Sequence, residues 1–175
     1  MRCLMLLRHA KSAPADATTR DHDRPLDARG RGDAPKIGAY MVRHALAPDQ
    51  VLVSTARRAR ETWALAATAF AAPPPVIYEP RLYEAEPDAL FQIIKEAAET
   101  TRALLLVGHN PGLHKLAMLL IASGHIEARE RLSREFPTTG LAVIDFAFDD
   151  WKKLHPQAGR LDRFVSPRSL MAATD

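Results

Sequence analysis

Hydrophobic positions along this chain fall into two patterns: short unbroken apolar runs, and longer segments with apolar residues every three or four positions. The first run, Leu4-Met5-Leu6-Leu7, stops abruptly at Arg8 and His9 before a polar, Pro-containing segment. A run of that length bounded by a loop signal predicts a buried strand. Two further runs predict strands over 50–53 and 103–107, the second the most apolar and so central. A short strand is predicted over 76–78, a late strand over 141–148, and a strand over 151–155 pairing with it across the Asp149-Asp150 turn. A last apolar piece, 161–165, precedes a Pro-containing tail.

Between the runs the period changes. Ile37, Tyr40, Met41, His44 and Ala45 form the stripe of a half-buried helix that begins at Asp27 or Asp33 and runs to about residue 47. Ala59, Trp63, Ala66 and Phe70 mark a second helix over 56–70, capped by Ser54 or Thr55 and stopped by Pro73-Pro74-Pro75. Pro87 opens a third helix with Leu90, Ile93, Ile94 and Ala97 inward, ending near residue 99. Asn110 as N-cap and Pro111 as first helical residue start a fourth, with Leu113, Leu116, Ala117, Leu120 and Ile121 on its apolar face. Residues 123–139 mix acidic and basic side chains and predict a short helix followed by a loop. Strands alternating with helices predict an α/β fold with a mostly parallel sheet, and the strand-rich end adds an antiparallel edge strand.

That alternation gathers chemistry. Three apolar runs end in Arg8-His9, in Ser54 to Arg58, and in His109-Asn110. In a parallel sheet these ends share one edge, which is where open α/β sheets bind ligands. Two of them lead into helices, whose N-termini favour anions. Arg8 and Arg58 supply forked donors that match phosphate oxygens. His9 and His109 supply rings that act as nucleophile or proton carrier near neutral pH. The constellation reads as a phosphate pocket with a nucleophilic histidine.

Composition narrows the reading without redirecting it. A chain of 175 residues predicts a single domain over 1–175, long enough for a sizeable core. A net charge of +3 suits an anionic substrate and does not by itself imply nucleic acid. Cys3, the one cysteine, rules out an intramolecular disulfide and fits a reducing compartment; its place in the first run makes it a core thiol. The N-terminal run is too short for a secretory signal, and no stretch approaches the ~20 apolar residues of a membrane span. The expected location is therefore cytoplasmic, with no membrane partner.

Rival chemistries find little. There is no Walker loop and no G-x-G-x-x-G. Cys3 and Arg8 lack the spacing of a cysteine phosphatase loop and fall inside a predicted strand. His109 and His114 are five apart and lack a third ligand, so no metal is expected. Arg57-Arg58-Ala59-Arg60 reads as a solvated helix face, and the few aromatics give no nucleic-acid surface. His22, His44, His125 and His155 read as surface or satisfied histidines.

Several segments have a family pattern. Leu7-Arg8-His9-Ala10-Lys11-Ser12 carries an Arg-His signature, and Asp23-Arg24-Pro25-Leu26 with Arg29-Gly30 an "RPL…RG" segment. Val53-Ser54 through Arg58-Ala59 and Thr62 follows S-P-x-x-R-A-x-x-T, with Thr55 where proline is usual. Val107-Gly108-His109-Asn110-Pro111-Gly112-Leu113 is a second histidine segment, and Phe136-Pro137-Thr138 and Pro167-Arg168 to Leu170 are later landmarks. Together they resemble the histidine phosphatase superfamily (phosphoglycerate mutase-like), and within it the small SixA-like phosphohistidine phosphatases.

The resemblance implies a three-layer α/β/α sandwich and a two-step phosphoryl transfer. His9 would attack phosphorus and become phosphohistidine, Arg8, Arg58 and His109 would hold the equatorial oxygens, and water would cleave the intermediate. Arg24 would line the phosphate pocket, with Asn110, Lys11 and Ser12 as further substrate contacts; His114 is another. No metal and no cofactor are implied. Glu84 in Leu82-Tyr83-Glu84-Ala85 is the positional candidate for proton donor and Glu86 the next, although a phosphoramidate leaving group departs with little help.

The expected activity is dephosphorylation of phosphohistidine on a protein, such as a phosphotransfer domain of a signalling relay. Little chain lies between His109 and Ile144 to build a lid, so the mouth should admit a protein surface. Phosphate or sulfate should bind in the pocket. A phosphatase of a small phosphomonoester is the alternative and would need a donor such as Glu84. A non-catalytic phosphate-binding protein is disfavoured by the intact His9, Arg58 and His109.

Overall fold

Both faces of the first strand, β1 (Arg2–Arg8), are dry. Successive side chains in a strand point to opposite faces. Leu4 and Leu6 enter one core and Met5 and Leu7 the other, all at 2% exposure or less. A strand buried on both sides needs helices on both sides, which is why it reads as a continuous apolar run. Each such buried side chain contributes about 1.5–3 kcal/mol relative to exposure.

The computed structural model describes residues 1–174. After β1 the chain runs through α1 (Ala28–Arg43), β2 (Gln50–Ser54), α2 (Arg57–Ala67), β3 (Val76–Glu79), α3 (Pro87–Lys95) and β4 (Ala103–Gly108). It continues through α4 (Gly112–Leu120), β5 (Ile121–Gly124), α5 (Ile126–Arg134), β6 (Leu141–Phe146), β7 (Gly159–Val165) and α6 (Pro167–Thr174). Short 3-10 turns occupy Asp21–Asp23, Pro80–Leu82 and Trp151–Lys153.

The strands form one sheet in the order β3-β2-β4-β1-β6-β7-β5. Ile37, Met41, Trp63 and Ala66 of α1 and α2 pack on one face, with Leu170 of α6 beside them. Residues of α3, α4 and α5, among them Ile94, Leu116 and Leu132, pack on the other. The result is the three-layer α/β/α sandwich. The α1–α2 contact is close because Gly38 lacks a side chain: a Cβ there would lie 2.1 Å from the Ala66 carbonyl oxygen. Asp27, not Asp33, starts α1, its Oδ1 accepting the Gly30 N–H at 2.8 Å.

β6 is the antiparallel strand, paired with β1 on one side and β7 on the other, so β7 and β5 extend the sheet beyond it. Three expectations need correction here. Ile121, placed on the fourth helix, is the first residue of β5, which pairs in parallel with β7. The segment 151–155 forms no strand: Trp151 turns inward, its indole donating to the Thr101 carbonyl at 2.7 Å. The partner of β6 is instead β7, which begins at Gly159. Among the described residues no helix is long and apolar enough to cross a membrane.

Candidate active site

Parallel pairing brings the strand ends level. Arg8 of β1 sits opposite Gly108 of β4, Val53 of β2 opposite Val107, and Ser54 opposite Glu79 of β3. Each end delivers polar groups to the same edge. β1 gives Arg8 and His9, β2 gives Ser54 and then Arg58 in the first turn of α2, and β4 gives His109 and Asn110. The turn after β3 presents Tyr83 and Glu84. Because β6 runs the opposite way, the loop before it reaches this edge as well. The Phe136 carbonyl accepts from Arg8 Nη1 at 3.0 Å and from Asn110 Nδ2 at 2.7 Å. The Thr139 N–H is shared between the Arg8 and His9 carbonyls at 3.1 Å each. Thr139 holds a left-handed φ of 60°, which for a β-branched residue costs about 1–3 kcal/mol.

The two histidines are held by different partners. His9 Nδ1 lies 2.8 Å from the Ala10 carbonyl. A carbonyl only accepts, so Nδ1 carries the proton and Nε2 keeps its lone pair. The Ala10 N–H donates to Thr62 Oγ1 at 2.9 Å, and that hydroxyl donates to the Arg58 carbonyl at 2.6 Å, tying the loop after β1 to α2. The His109 ring lies beside His9, centroids 5.1 Å apart, and its Nε2 meets Ser54 Oγ at 2.7 Å. Burial pushes the His9 ring down to about 4, reinforced by Arg58, Arg8 and Arg24. Burial likewise pushes His109 down to about 3, with His9 and Arg58 adding to it. Both rings are therefore neutral at physiological pH, and His9 Nε2 is available to attack.

Asp21 organises the cationic side. Arg58 donates from Nη1 to the Asp21 carbonyl at 2.7 Å and from Nη2 to Oδ2 at 3.0 Å. Arg24 donates to Asp21 Oδ1 from Nε and Nη2, both at 3.0 Å. The Tyr83 hydroxyl donates to Asp21 Oδ2. That hydroxyl first, and then Arg58 and Arg24, hold the Asp21 carboxyl down to about 2. Burial and the facing carboxylate push Tyr83 up to about 12. The Tyr83 ring meets His109 edge-on at 5.5 Å and His22 at 4.8 Å, with the Arg58 guanidinium 5.8 Å from its centre.

Arg8 Nε, Arg58 Nε and His109 Nδ1 are buried without a hydrogen-bond partner in the protein. Asn110 Oδ1 and Thr139 Oγ1 of the same edge are unpaired as well. An unpaired buried polar group costs about 1–3 kcal/mol, so a cluster of them is a candidate place for a ligand's polar atoms. A cleft of about 300 Å³ opens here, lined by Asp21, Arg58, Tyr83, Glu84, Glu86, His109 and Asn110 among others. The first turns of α2 and α4 face this edge without side-chain caps. The N-caps are Ala56 and Pro111, not Ser54 or Thr55 and not Asn110: Ser54 turns to His109, and Asn110 to the Phe136 carbonyl.

The structure thus brings together Arg8, His9, Arg58, His109 and Asn110. Glu84 lines the cleft from a left-handed backbone position, φ 56°. Arg24 joins the group through Asp21. The lining of the cleft includes none of Arg8, His9, Lys11, Ser12 and Arg24. Arg8 and His9 reach it beside His109 and Asn110, whereas Ser12 Oγ accepts from Arg24 at 3.3 Å, and the Lys11 side chain is exposed while its carbonyl accepts from Asp27. His114 Nε2 donates to the Leu132 carbonyl at 2.6 Å and is committed to α5. Asp21 and Tyr83 carry no local signal; Asp21 is one of several acids in a polar loop, and its meeting with Arg58 spans 37 residues. Among the described residues no three His, Cys, Asp or Glu side chains are grouped to hold a metal ion.

A parallel sheet edge that gathers two histidines and two arginines with unpartnered nitrogens is arranged to hold an anion such as a phosphoryl group. Residues 4–102 match the family model of the histidine phosphatase superfamily, branch 1. An uncharacterised protein of Mycobacterium tuberculosis is 40% identical over 164 residues, 93% of this chain and 100% of its own length. The chain belongs to the histidine phosphatase superfamily, and so to a family of phosphatases. Within it the chain is SixA-like. The Agrobacterium tumefaciens protein assigned as phosphohistidine phosphatase SixA is 31% identical with a TM-score of 0.81, covering 95% of this chain and 98% of that one. The protein histidine phosphatase SixA complexed with tungstate shares the fold at 20% identity and a TM-score of 0.76, covering 96% of this chain and 99% of that one.

Proposed function

We propose that this protein passes a phosphoryl group through His9 and that its substrate is phosphohistidine on a protein. The observation that carries the reading is the set of unpartnered nitrogens, Arg8 Nε, Arg58 Nε and His109 Nδ1, beside a neutral His9 whose Nε2 lone pair is free. His9 Nε2 attacks phosphorus as the bond to the leaving nitrogen breaks. Charge spreads over three equatorial oxygens, and the arginines and His109 receive it. Water then attacks the phosphohistidine and releases inorganic phosphate. The arginines supply the charge neutralisation, so the reading needs no metal.

A protein substrate is supported by what the chain does after α4. Residues 121–134 form β5 and α5, which join the sheet edge and one helical layer instead of covering the cleft. On this reading the protein works in the cytoplasm on a phosphotransfer domain of a signalling relay. A small phosphomonoester is the second reading, favoured by Glu84 at the cleft as a proton donor. A substrate panel separates them: phosphohistidine protein should be cleaved with a higher kcat/KM than common phosphomonoesters, with turnover unaffected by EDTA. A preference for a monoester would overturn the first reading, and strong inhibition by EDTA would overturn the metal-free one.

A further inference from the structure

Arg58 lines the cleft, but both of its terminal nitrogens are engaged by one residue: Nη1 donates to the Asp21 carbonyl at 2.7 Å and Nη2 to Oδ2 at 3.0 Å. Arg24 is committed to the same carboxylate through Nε and Nη2, and its Nη1 donates to the Ala13 carbonyl at 2.8 Å. Of these two guanidiniums, only Arg58 keeps a nitrogen, Nε, that is buried without a partner. The Tyr83 hydroxyl is a fourth donor to the carboxylate. A phosphoryl oxygen approaching Arg58 therefore competes with an anion already bound there, and two anions on one guanidinium repel each other. The two partners differ in freedom. The Arg58 side chain is 7% exposed, whereas that of Asp21 is 50% exposed and stands on the short turn Asp21–Asp23. The carboxylate can turn to water at little cost in solvation; the buried arginine cannot.

We infer that Asp21 is an internal competitor for the oxyanion pocket: it keeps Arg58 and Arg24 aligned while weakening their hold on phosphate, so that the product is released. This goes beyond the reading of the cleft as a phosphoryl pocket and rests on it. Inorganic phosphate offers the pocket the same oxygens as the transferring group. Donors that stabilise the transition state therefore hold the product as well, and uniformly tight binding slows turnover at release. A carboxylate fixed beside Arg58 offsets that attraction without removing the arginine from its place. Asp21 works through Arg58 and Arg24 and forms no bond to the reacting atoms, so it is a positioning residue. Its two effects have opposite signs on phosphate affinity: lost alignment weakens binding, and lost competition tightens it.

The test measures the affinity of inorganic phosphate, and of tungstate as a second oxyanion, for the wild type, Asp21→Asn and Asp21→Ala. Isothermal titration gives Kd, and the phosphate-induced rise in Tm checks it without turnover. Asp21→Ala is included because the amide of Asp21→Asn sets its own N–H groups against two guanidiniums. Removing the competing charge should tighten both oxyanions about tenfold, with a matching fall in the Ki of product phosphate. The gain should shrink as NaCl is raised from about 0.1 to about 1 M, because a half-exposed charge is screened. A role in folding alone does not produce a salt-sensitive gain in affinity. Tighter binding in either folded variant supports the inference. Weaker or unchanged binding in both would overturn it and leave Asp21 as an anchor for the arginines only. Failure of the wild type to bind either oxyanion would overturn the phosphoryl pocket itself, and the inference with it.

Discussion

His109 is joined to Ser54 by a hydrogen bond of 2.7 Å from ring Nε2 to Oγ, linking the ends of β4 and β2. Ser54 is fully buried and also accepts the Ala56 N–H at 3.3 Å. The serine therefore orients the ring that, in the proposed reaction, receives the transferring phosphoryl oxygens. Ser54→Ala should lower kcat about tenfold through a misdirected imidazole, with a smaller effect on KM, and cost about 1–3 kcal/mol of stability. Ser54→Thr should restore part of kcat. Steady-state kinetics and urea unfolding of the three proteins check this.

Thr62 bridges the His9–Ala10 loop to α2, accepting from the Ala10 N–H and donating to the Arg58 carbonyl. Thr62→Val keeps the side-chain shape and leaves the buried Ala10 N–H unpaired. The expected loss is about 1–3 kcal/mol in urea unfolding, with a fall in kcat larger than the change in KM. Unchanged stability would show that the loop finds another partner.

Glu84→Gln distinguishes the two substrate readings. A general acid contributes about 10²–10⁴-fold, so hydrolysis of a phosphomonoester should slow by at least about 10²-fold, against only a few-fold for phosphohistidine. Equal effects would remove the division between substrates.

The depressed histidines set a pH dependence of stability. His9 is held down to about 4 and His109 to about 3, whereas both rings take up protons near 6.5 in the unfolded chain. Between those values the unfolded chain binds more protons, so stability rises with pH. The contribution is complete above about pH 6.5 and is lost progressively as pH falls toward 4. Asp21, held down to about 2, adds a further loss below about pH 4. Urea midpoints between pH 7 and 4 should fall, and His9→Asn should fall less over that interval. NMR titration should find the His9 ring neutral at pH 5.

Local pattern made much of this legible. The apolar runs at β1, β2 and β4 and the polar residues ending them lie next to one another in the chain, so Arg8, His9, Arg58 and His109 stood out together. What could not be read depends on contacts made far along the chain. β5 has only four residues, with Ser123 and Gly124 weak strand formers, and exists because β7 pairs with it. Trp151 looked like a strand residue, but burial of its indole against Thr101 bends the segment instead. Asp21 and Tyr83 leave no mark in the sequence because their meaning lies in each other and in Arg58, and the Phe136 carbonyl leaves none because a backbone acceptor has no sequence signature.

Rapid acid-free quenching of the enzyme with labelled phosphohistidine protein, followed by peptide mapping, tests whether the phosphoryl group passes through His9. The label should appear on the peptide containing His9, stable to alkali and labile to acid, and should vanish with His9→Ala along with turnover. Label on another residue, or full turnover by His9→Ala, would contradict it.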